Sequence, residues 1–271
     1  MKTKPDLNIC KGSGFDSAAG RNAMLGYLDS LATIEDDRLQ KRLLKELIHS
    51  YVILEKRVDA LLKNTLPETV AEEIKCQKGF APRNYECTIL FSDFAGFTRL
   101  AEKISGEQLI HTLDRLFTGF DRIVDRHQGT KIKTIGDAYM AVFGAPIRME
   151  DHALCAVQTA IELVDFLDAY NRGNDPPFHI RIGIHTGKVM AGVVGRDRMQ
   201  FDVFGDDVNI ASRFESSGEA GRINVSETTW LETRKHIEFE ERGVVALKNK
   251  AGMTAYFVKR NGRTETSNAL G

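Results

Sequence analysis

Two aspartates in the sequence occupy positions where their carboxylates can be brought together. Asp93 follows the apolar run Cys87–Phe91, and Asp137 lies in the turn between two strand-like segments, Thr130–Ile135 and Ala138–Phe143. If the first strand and this hairpin are neighbours in one sheet, the two carboxylates converge at the same end of it. Converging carboxylates are hard oxygen ligands, suited to two Mg²⁺ or Mn²⁺ ions that carry a nucleoside triphosphate. Each aspartate alone is more simply explained as a cap or a turn residue.

The segment that follows Asp93 is suited to binding phosphate. It runs from Phe94 to Thr98 and turns through Gly96 toward a predicted helix. Free backbone N–H groups where a helix begins can cradle phosphate oxygens. The two aspartates and this segment together predict a site for a metal-bound nucleotide.

These residues are embedded in an alternation of strands and helices. Amphipathic helical spacing covers Glu107–His127 and Asp151–Tyr170, and strand-like segments lie before, between and after these two helices. The order β-α-β-β-α-β predicts a ferredoxin-like α+β sheet with its helices on one face. The later predicted elements are a strand at Phe178–His185, a turn at Thr186-Gly187, a strand at Val189–Val194, a helix at Val208–Phe214 and short strands at Ile223–Val225, Ile237–Glu240 and Tyr256–Val258.

A heptad pattern precedes this region. Six apolar residues follow one another at steps of 3, 4, 3, 4 and 3, namely Leu44, Leu47, Tyr51, Leu54, Val58 and Leu61. This spacing predicts a parallel coiled-coil dimer, with a single amphipathic helix lying on its own domain as the alternative. The predicted organisation is a flexible leader at 1–20, a dimerising helix at 21–64, a connector at 65–85, a catalytic domain at 86–260 and a flexible tail at 261–271.

Composition excludes several classes of protein. The net charge is −1, so attraction to nucleic acid or to anionic lipid is not expected. The four cysteines lie far apart in sequence, which argues against a zinc site or a disulfide framework and fits a reducing cytosol. No apolar stretch approaches the ~20 residues needed to cross a bilayer. We therefore expect a cytoplasmic protein without membrane contact, or the soluble part of a larger, membrane-attached one.

Three motifs together resemble those of one enzyme family. Phe91–Thr98 resembles F-x-D-[IF]-x-G-F-T, Lys131–Asp137 resembles K-[IV]-K-x-x-G-D, and Phe201–Arg213 resembles [YF]-D-V-[WF]-G-x-x-V-N-x-A-[SA]-R. The class III adenylyl and guanylyl cyclases carry these motifs in the same order and spacing. The resemblance covers about Glu86–Lys259, and it implies a ferredoxin-like catalytic domain that cyclises a nucleoside triphosphate.

The resemblance assigns the metal-binding and phosphate-binding residues. Asp93, Asp137 and the backbone carbonyl of Phe94 look like the ligands of two Mg²⁺ or Mn²⁺ ions. One ion would lower the pKa of the ribose 3′-OH, and the other would clamp the triphosphate for in-line attack on the α-phosphorus. The residues that resemble the family's phosphate-contacting segment are Ala95, Gly96, Phe97 and Thr98.

Base recognition and transition-state stabilisation are assigned in the same way. Lys133 looks like a donor to a ring nitrogen of adenine, and Asp202 looks like an acceptor for the 6-amino group. Guanylyl cyclases of this family tend to carry Glu and a small or Cys residue there, so this pair implies ATP as the substrate. Asn209 would orient the ribose, and Arg213 would stabilise charge on the pentavalent phosphorus.

Two further cations resemble residues that grip the terminal phosphates. Arg181 matches such a position, and so does Lys248, although the sequence from Lys248 to Ala251 departs from the K-G-K-G that the family often has. His185 is interpreted as a packed or solvated residue rather than a catalytic one. Asp207 is interpreted as a first-turn residue that favours the positive end of a helix dipole.

The family's active sites are shared between two catalytic domains. The metal aspartates of one domain face the base-reading and phosphorus-stabilising residues of a second. Because this chain carries both sets, the resemblance implies a homodimer with two equivalent sites, held by the parallel coiled coil. Asn64–Ile74 resembles the connector that passes on signals, and the early dimerising helix implies an N-terminal sensory domain missing from this sequence.

Three other functions fit the sequence less well. A guanylyl cyclase is opposed by Lys133 and Asp202. A catalytically inactive module that only binds nucleotide or dimerises is opposed by the intact set of metal and transition-state residues. A diguanylate cyclase shares the sheet topology, but its Gly-Gly-Asp/Glu-Glu-Phe hairpin is replaced here by Thr134–Ala138. We therefore predict an adenylyl cyclase that makes cyclic AMP for signal transduction.

Overall fold

The computed structural model describes residues 26, 29, 32–77, 79–102, 104–196, 198–246 and 252–260. The predicted leader and tail lie outside these residues, as does the beginning of the predicted dimerising helix. The chain divides into two units. One comprises Met1–Ala81 with Val193–Phe201, and the other comprises Pro82–Gly192 with Asp202–Gly271.

In the first unit, the helices with described bounds are α1 (Asp37–Lys63) and α2 (Glu68–Gln77). Asp36 caps α1, and ion pairs of Lys63 with Glu68 and of Lys75 with Asp59 link the two helices. No residue of α1 is buried, and five of the six heptad residues are exposed. The apolar seam of α1 therefore faces solvent in the single chain. None of the described helices is long and apolar enough to cross a bilayer.

An eight-stranded sheet forms the framework of the second unit. Its strands are β1 (Arg83–Phe94), β2 (Thr130–Ile135), β3 (Ala138–Phe143), β4 (Ile180–Val194), β5 (Gln200–Phe204), β6 (Ile223–Ser226), β7 (Phe239–Val245) and β8 (Met253–Val258). The strand order is β2-β3-β1-β4-β6-β8-β7, and β5 pairs with β4. The first four strands in this order pair antiparallel, which is the ferredoxin-like arrangement. The predicted fold class is thus confirmed.

In the part of the chain that the structure describes, five helices accompany the sheet. They are α3 (Phe97–Ala101), α4 (Gly106–Arg126), α5 (His152–Asn171), α6 (Asp206–Ser216) and α7 (Glu227–Thr233). Phe120 of α4 and Leu163 of α5 pack in the main core with Ile182 and Ile184 of β4. Gly183 lies between these two isoleucines and faces the opposite side of the sheet, where α6 packs against it. Helices therefore cover both faces of the sheet, not one as the sequence pattern predicted.

α6 lies unusually close to β4. A Cβ atom at Gly183 would lie 1.9 Å from the backbone nitrogen of Glu215, and one at Gly187 would lie 2.4 Å from the carboxylate of Asp207. Gly187 pairs with Cys87 in the continuous strand β4, so the predicted turn at Thr186-Gly187 is wrong. Glycine is needed at these positions because α6 approaches the strand, not because the chain turns.

Some elements differ from the predicted ones at their ends or were missed. The hairpin β2–β3 and the two long helices agree with prediction to within one residue. By contrast β7 begins and ends later than Ile237–Glu240, and α7 was not predicted. α7 is only seven residues long, about two turns, which is shorter than the window over which helical spacing can be recognised.

We expect Gly183→Ala to destabilise the protein. The new methyl group would collide with helix backbone, which cannot rotate away, so α6 must shift. Overpacking of this kind destabilises by about 1–3 kcal/mol. Urea unfolding would measure the change. Gly192→Ala on the same strand is the control, because its Cβ would meet Pro82 at 3.5 Å, an ordinary contact distance. Equal midpoints for the two variants would contradict the proposed role of Gly183.

Candidate active site

The structure brings Asp93 and Asp137 together at one end of the sheet. Ser92 of β1 lies opposite Tyr139 of β3, so the β2–β3 turn that carries Asp137 lies beside the end of β1. Gly136 has a φ of +63°, which suits this tight turn. Burial raises the pKa of Asp137, and the neighbouring carboxylate of Asp93 raises it further. Two negative charges therefore share a partly buried site.

The backbone after Asp93 is fixed by the aromatic core. The side chain of Phe94 is buried and packs against four other rings, those of Phe97, Phe117, Phe120 and Phe178. The backbone N–H of Ala95 donates to the carbonyl of His179 at 2.8 Å, and Gly96 then turns the chain with a φ of +73°. The carbonyl of Phe94 and the segment from Ala95 to Thr98 are thus held next to Asp93.

Arg181, on the neighbouring strand β4, contacts the group of carboxylates formed by Asp93, Asp137 and Glu215, which is called the acidic cluster below. It lies directly opposite Asp93 in the pairing of β1 with β4, and its Nη2 lies 2.5 Å from Oδ2 of Asp93. Its Nε lies 3.2 Å from Oε1 of Glu215. The guanidinium also opposes the rise in the pKa of Asp137. One cation therefore faces three carboxylates.

Glu215 is the member of this cluster that the sequence did not reveal. It lies near the end of α6 and is buried. Burial, together with the neighbouring carboxylate of Asp93, raises the pKa of its carboxyl to about 7, although Arg181 opposes the rise. Its only signal in the sequence is indirect: it follows Phe214 on the buried side of a helix, where a charged residue is unusual.

Lys133 and Asp202 form a second charged pair, carried by β2 and β5. Nζ of Lys133 lies 2.5 Å from Oδ2 of Asp202, whose side chain is only 12% exposed. The other carboxylate oxygen of Asp202 accepts the backbone N–H of Val203 at 2.9 Å. The pair thus presents one cationic donor and one fixed acceptor side by side.

The first turn of α6 is anchored to β4. Asp207 accepts the backbone N–H of Lys188 at 2.7 Å and lies 3.2 Å from Nε2 of His185. His185 is buried and stacks on Phe214 further along the same helix, with ring centroids 6.3 Å apart. His185 is therefore a packed residue, as predicted. Asp207 does more than favour the helix dipole, because it ties the helix to β4.

Asn209 and Arg213 lie one helical turn apart on α6, and both are exposed. Among the described residues, neither side chain forms a hydrogen bond or an ion pair with Asp93 or Asp137. The structure does not join these two residues to the acidic cluster of the same chain. Lys248 lies outside the described residues.

Comparison with known proteins identifies the family. The family described as "Adenylate and Guanylate cyclase catalytic domain" matches residues 81–260, well over half of the chain. The chain belongs to this family. The ferredoxin-like sheet and the acidic cluster described above lie within the matched region.

Relatives of this cyclase domain include enzymes of both specificities. The chain is 37% identical over 225 residues to guanylate cyclase soluble subunit beta-2 of Rattus norvegicus, covering 82% of this chain and 33% of that protein. It is 36% identical over 204 residues to an adenylate cyclase of Mycobacterium tuberculosis, covering 74% and 46%. The crystal structure of the adenylyl cyclase CyaB from P. aeruginosa matches with a TM-score of 0.64 and 31% identity, covering 68% of this chain and 98% of that one. The chain thus spans less than half the length of these two curated relatives.

The acidic cluster of the cyclase domain fits divalent cations. Among the described residues no group of three or more His, Cys, Asp or Glu side chains is placed to hold a metal ion. The predicted ligand set is smaller, with two carboxylates and the carbonyl of Phe94. Mg²⁺ commonly binds one or two carboxylates and completes its shell with water and substrate phosphates. The mutual repulsion of Asp93 and Asp137 is the feature that a bound cation would relieve.

We predict that Glu215→Gln stabilises the folded protein at alkaline pH. The folded-state pKa of about 7 exceeds the ordinary 4.5, so folding favours the protonated carboxyl. Stability is therefore lost as the pH rises from about 4.5 through about 7 and the carboxyl ionises. The variant, which cannot ionise, should gain up to about 3 kcal/mol over the native protein at pH 8 and little at pH 4.5.

Urea unfolding at a series of pH values would measure this difference. Glu219→Gln, at an exposed residue just beyond α6, is the control and should show no such trend. A gap between Glu215→Gln and the native protein that is constant with pH would contradict the prediction.

Proposed function

We propose that the chain is the catalytic part of an adenylyl cyclase, which converts ATP to 3′,5′-cyclic AMP and pyrophosphate. The observation that supports this specificity is the pairing of Lys133 with Asp202 at 2.5 Å. Adenine offers a ring-nitrogen acceptor beside an amino donor, and this pair offers the complementary donor and acceptor. Guanine presents the reverse pattern and would leave both charged groups unsatisfied in a half-buried pocket.

The reaction joins the ribose 3′-oxygen to the α-phosphorus and breaks the bond from that phosphorus to the bridging oxygen of pyrophosphate. The proton of the 3′-hydroxyl is released to solvent. Cations held by Asp93, Asp137 and the carbonyl of Phe94 would activate the hydroxyl and neutralise phosphate charge. Arg181 binds the terminal phosphates beside the acidic pair, and the backbone from Ala95 to Thr98 contacts the phosphates.

Residues on α6 complete the proposed mechanism. Asn209 orients the ribose, and Arg213 stabilises the charge that develops on the pentavalent phosphorus. Lys248, outside the described residues, is proposed to bind the terminal phosphates together with Arg181.

The active site is proposed to be shared between two chains. Asn209 and Arg213 are exposed and make no contact with the acidic pair of their own chain, so a second chain is needed to supply them. A two-fold homodimer would form two such sites. The exposed heptad seam of α1, which includes Leu54 and Leu61, supports a parallel coiled coil as the dimerising element.

The proposed function predicts that the purified chain makes cyclic AMP from ATP with Mg²⁺ or Mn²⁺ and that Asp137→Ala abolishes this activity. Removing the carboxylate removes a metal ligand, so turnover should fall by at least ~10³-fold. Cyclic nucleotide production from ATP and from GTP would be measured side by side. Asp114→Ala, at an exposed acid on α4, is the matched control and should retain activity.

Each alternative has its own signature in this experiment. Cyclic GMP from GTP, with little product from ATP, would establish a guanylyl cyclase. Nucleotide binding without product at any protein concentration would establish an inactive module.

A change of the base-reading pair should change the preferred nucleotide. Lys133→Glu combined with Asp202→Cys replaces the adenine pattern by that of guanylyl cyclases. We expect kcat/KM for ATP to fall by at least ~10²-fold relative to that for GTP. Lys131→Gln, two residues earlier on β2, is the control, because Lys131 bonds to Asp121 instead. An unchanged ratio of the two kcat/KM values would remove Lys133 and Asp202 from base recognition.

A further inference from the structure

Glu215 is a buried carboxylate for which the proposed reaction gives no role. Its side chain is 11% exposed, and it faces the guanidinium of Arg181 across 3.2 Å. Arg181 Nε and Glu215 Oε1 are both buried, and neither has an aligned hydrogen bond. The pair is therefore an ion pair whose two atoms are close but imperfectly oriented.

The imperfect orientation of Arg181 toward Glu215 is explained by a second contact of the same guanidinium. Arg181 Nη2 is drawn to Asp93 at 2.5 Å, so the guanidinium is divided between two carboxylates on different sides. Asp93 is also a proposed metal ligand, and a carboxylate that binds a cation binds an arginine less strongly. Glu215 is then the partner that can keep Arg181 in place.

The position of Glu215 on α6 separates it from the other functional residues of that helix. Asn209 and Arg213 lie on the exposed side, whereas Glu215 is buried against β4. Two residues correspond to about 200° around a helix, so Arg213 and Glu215 point in nearly opposite directions. In a dimer with shared sites, one α6 would therefore serve both sites: Arg213 would act in the partner's site and Glu215 in the site of its own chain.

We propose that Glu215 is a positioning residue, which holds Arg181 of the same chain at the phosphate end of the active site. This inference rests on the proposed cyclase function and its shared sites. Glu215 does not touch the reacting atoms. It gives the guanidinium of Arg181 a second partner besides Asp93 and keeps that guanidinium available to the terminal phosphates when Asp93 binds a cation. The burial of the Glu215 carboxylate is consistent with such a role. An exposed carboxylate would destabilise the folded protein less, so burial at this position suits function rather than stability.

A mixed dimer tests which site Glu215 serves. One chain carries Asp137→Ala and the other Arg213→Ala, each with a different affinity tag, so that tandem purification isolates the mixed species. Only one of its two sites then has a complete set of residues: the acidic cluster comes from the Arg213→Ala chain, and Asn209 with Arg213 comes from the Asp137→Ala chain. Glu215→Gln is added to either chain in turn.

The two placements have different expected results. On the Arg213→Ala chain, Glu215→Gln should lower turnover by about tenfold or more, as loss of a supporting contact commonly does. On the Asp137→Ala chain, whose own acidic cluster is already inactive, it should change turnover by less than about twofold. Equal losses in the two placements would mean that Glu215 only supports the shape of α6, and this would overturn the proposal. A loss confined to the Asp137→Ala chain would overturn it as well.

The mixed dimer also separates this inference from the function on which it rests. If the dimer with native Glu215 in both chains makes no cyclic nucleotide, the shared active site itself is wrong, and the inference fails with it. If that dimer is active and the two placements of Glu215→Gln are equivalent, only the inference fails.

Binding provides a readout that does not depend on turnover. Calorimetry with 3′-deoxy-ATP, which lacks the attacking hydroxyl, should show about tenfold weaker binding to Glu215→Gln, whereas binding of 3′-deoxyadenosine should not change. Glu215→Asp, which keeps the charge, should recover part of the lost affinity. Equal weakening for the nucleotide and the nucleoside, or no weakening for either, would contradict a role directed at the phosphates.

Discussion

The close approach of α6 to β4 is the constraint on which the rest of the site depends. Gly183 and Gly187 leave no side chain between strand and helix, so the helix rests directly on the strand at both of its ends. Asp207 is tied to β4 at the first end, and Glu215 faces Arg181 of β4 at the second. A helix held at both ends cannot tilt without breaking one of these contacts, and this rigidity fixes where its exposed residues point.

The electrostatics of the acidic cluster oppose folding in the isolated chain. Three carboxylates, those of Asp93, Asp137 and Glu215, surround one guanidinium, and burial raises the pKa of the last two. Such a concentration of like charge destabilises the folded state unless cations are present. The three carboxylates are compatible with a functional site if ligands supply the missing positive charge. Binding of such a ligand then relieves the repulsion between the carboxylates. The same carboxylates therefore lower the stability of the folded protein and serve its proposed activity.

Much of the fold could be predicted from the sequence, because the elements that carry it have strong periodicity. The β2–β3 hairpin has a turn signal at Gly136-Asp137, the two long helices have helical spacing, and the convergence of Asp93 with Asp137 follows from the strand order. Thr186-Gly187 resembles a turn in the sequence because a glycine needed for close packing cannot be told from a glycine needed for a turn in a single sequence. The place of Glu215 in the site is not visible in the sequence for a related reason: its partner Arg181 is distant along the chain, and only the fold brings the two together.

If Lys133 and Asp202 read the base as proposed, their pairing with each other has a consequence for how the base is chosen. In the free protein each group already satisfies the other at 2.5 Å, so an incoming base must displace an existing bond before it forms its own. The affinity for a base then depends on how its hydrogen bonds to Lys133 and Asp202 compare with the bond that these two residues make with each other. A base that can replace both halves of the bond binds with little net loss, whereas a base that can replace neither half binds poorly.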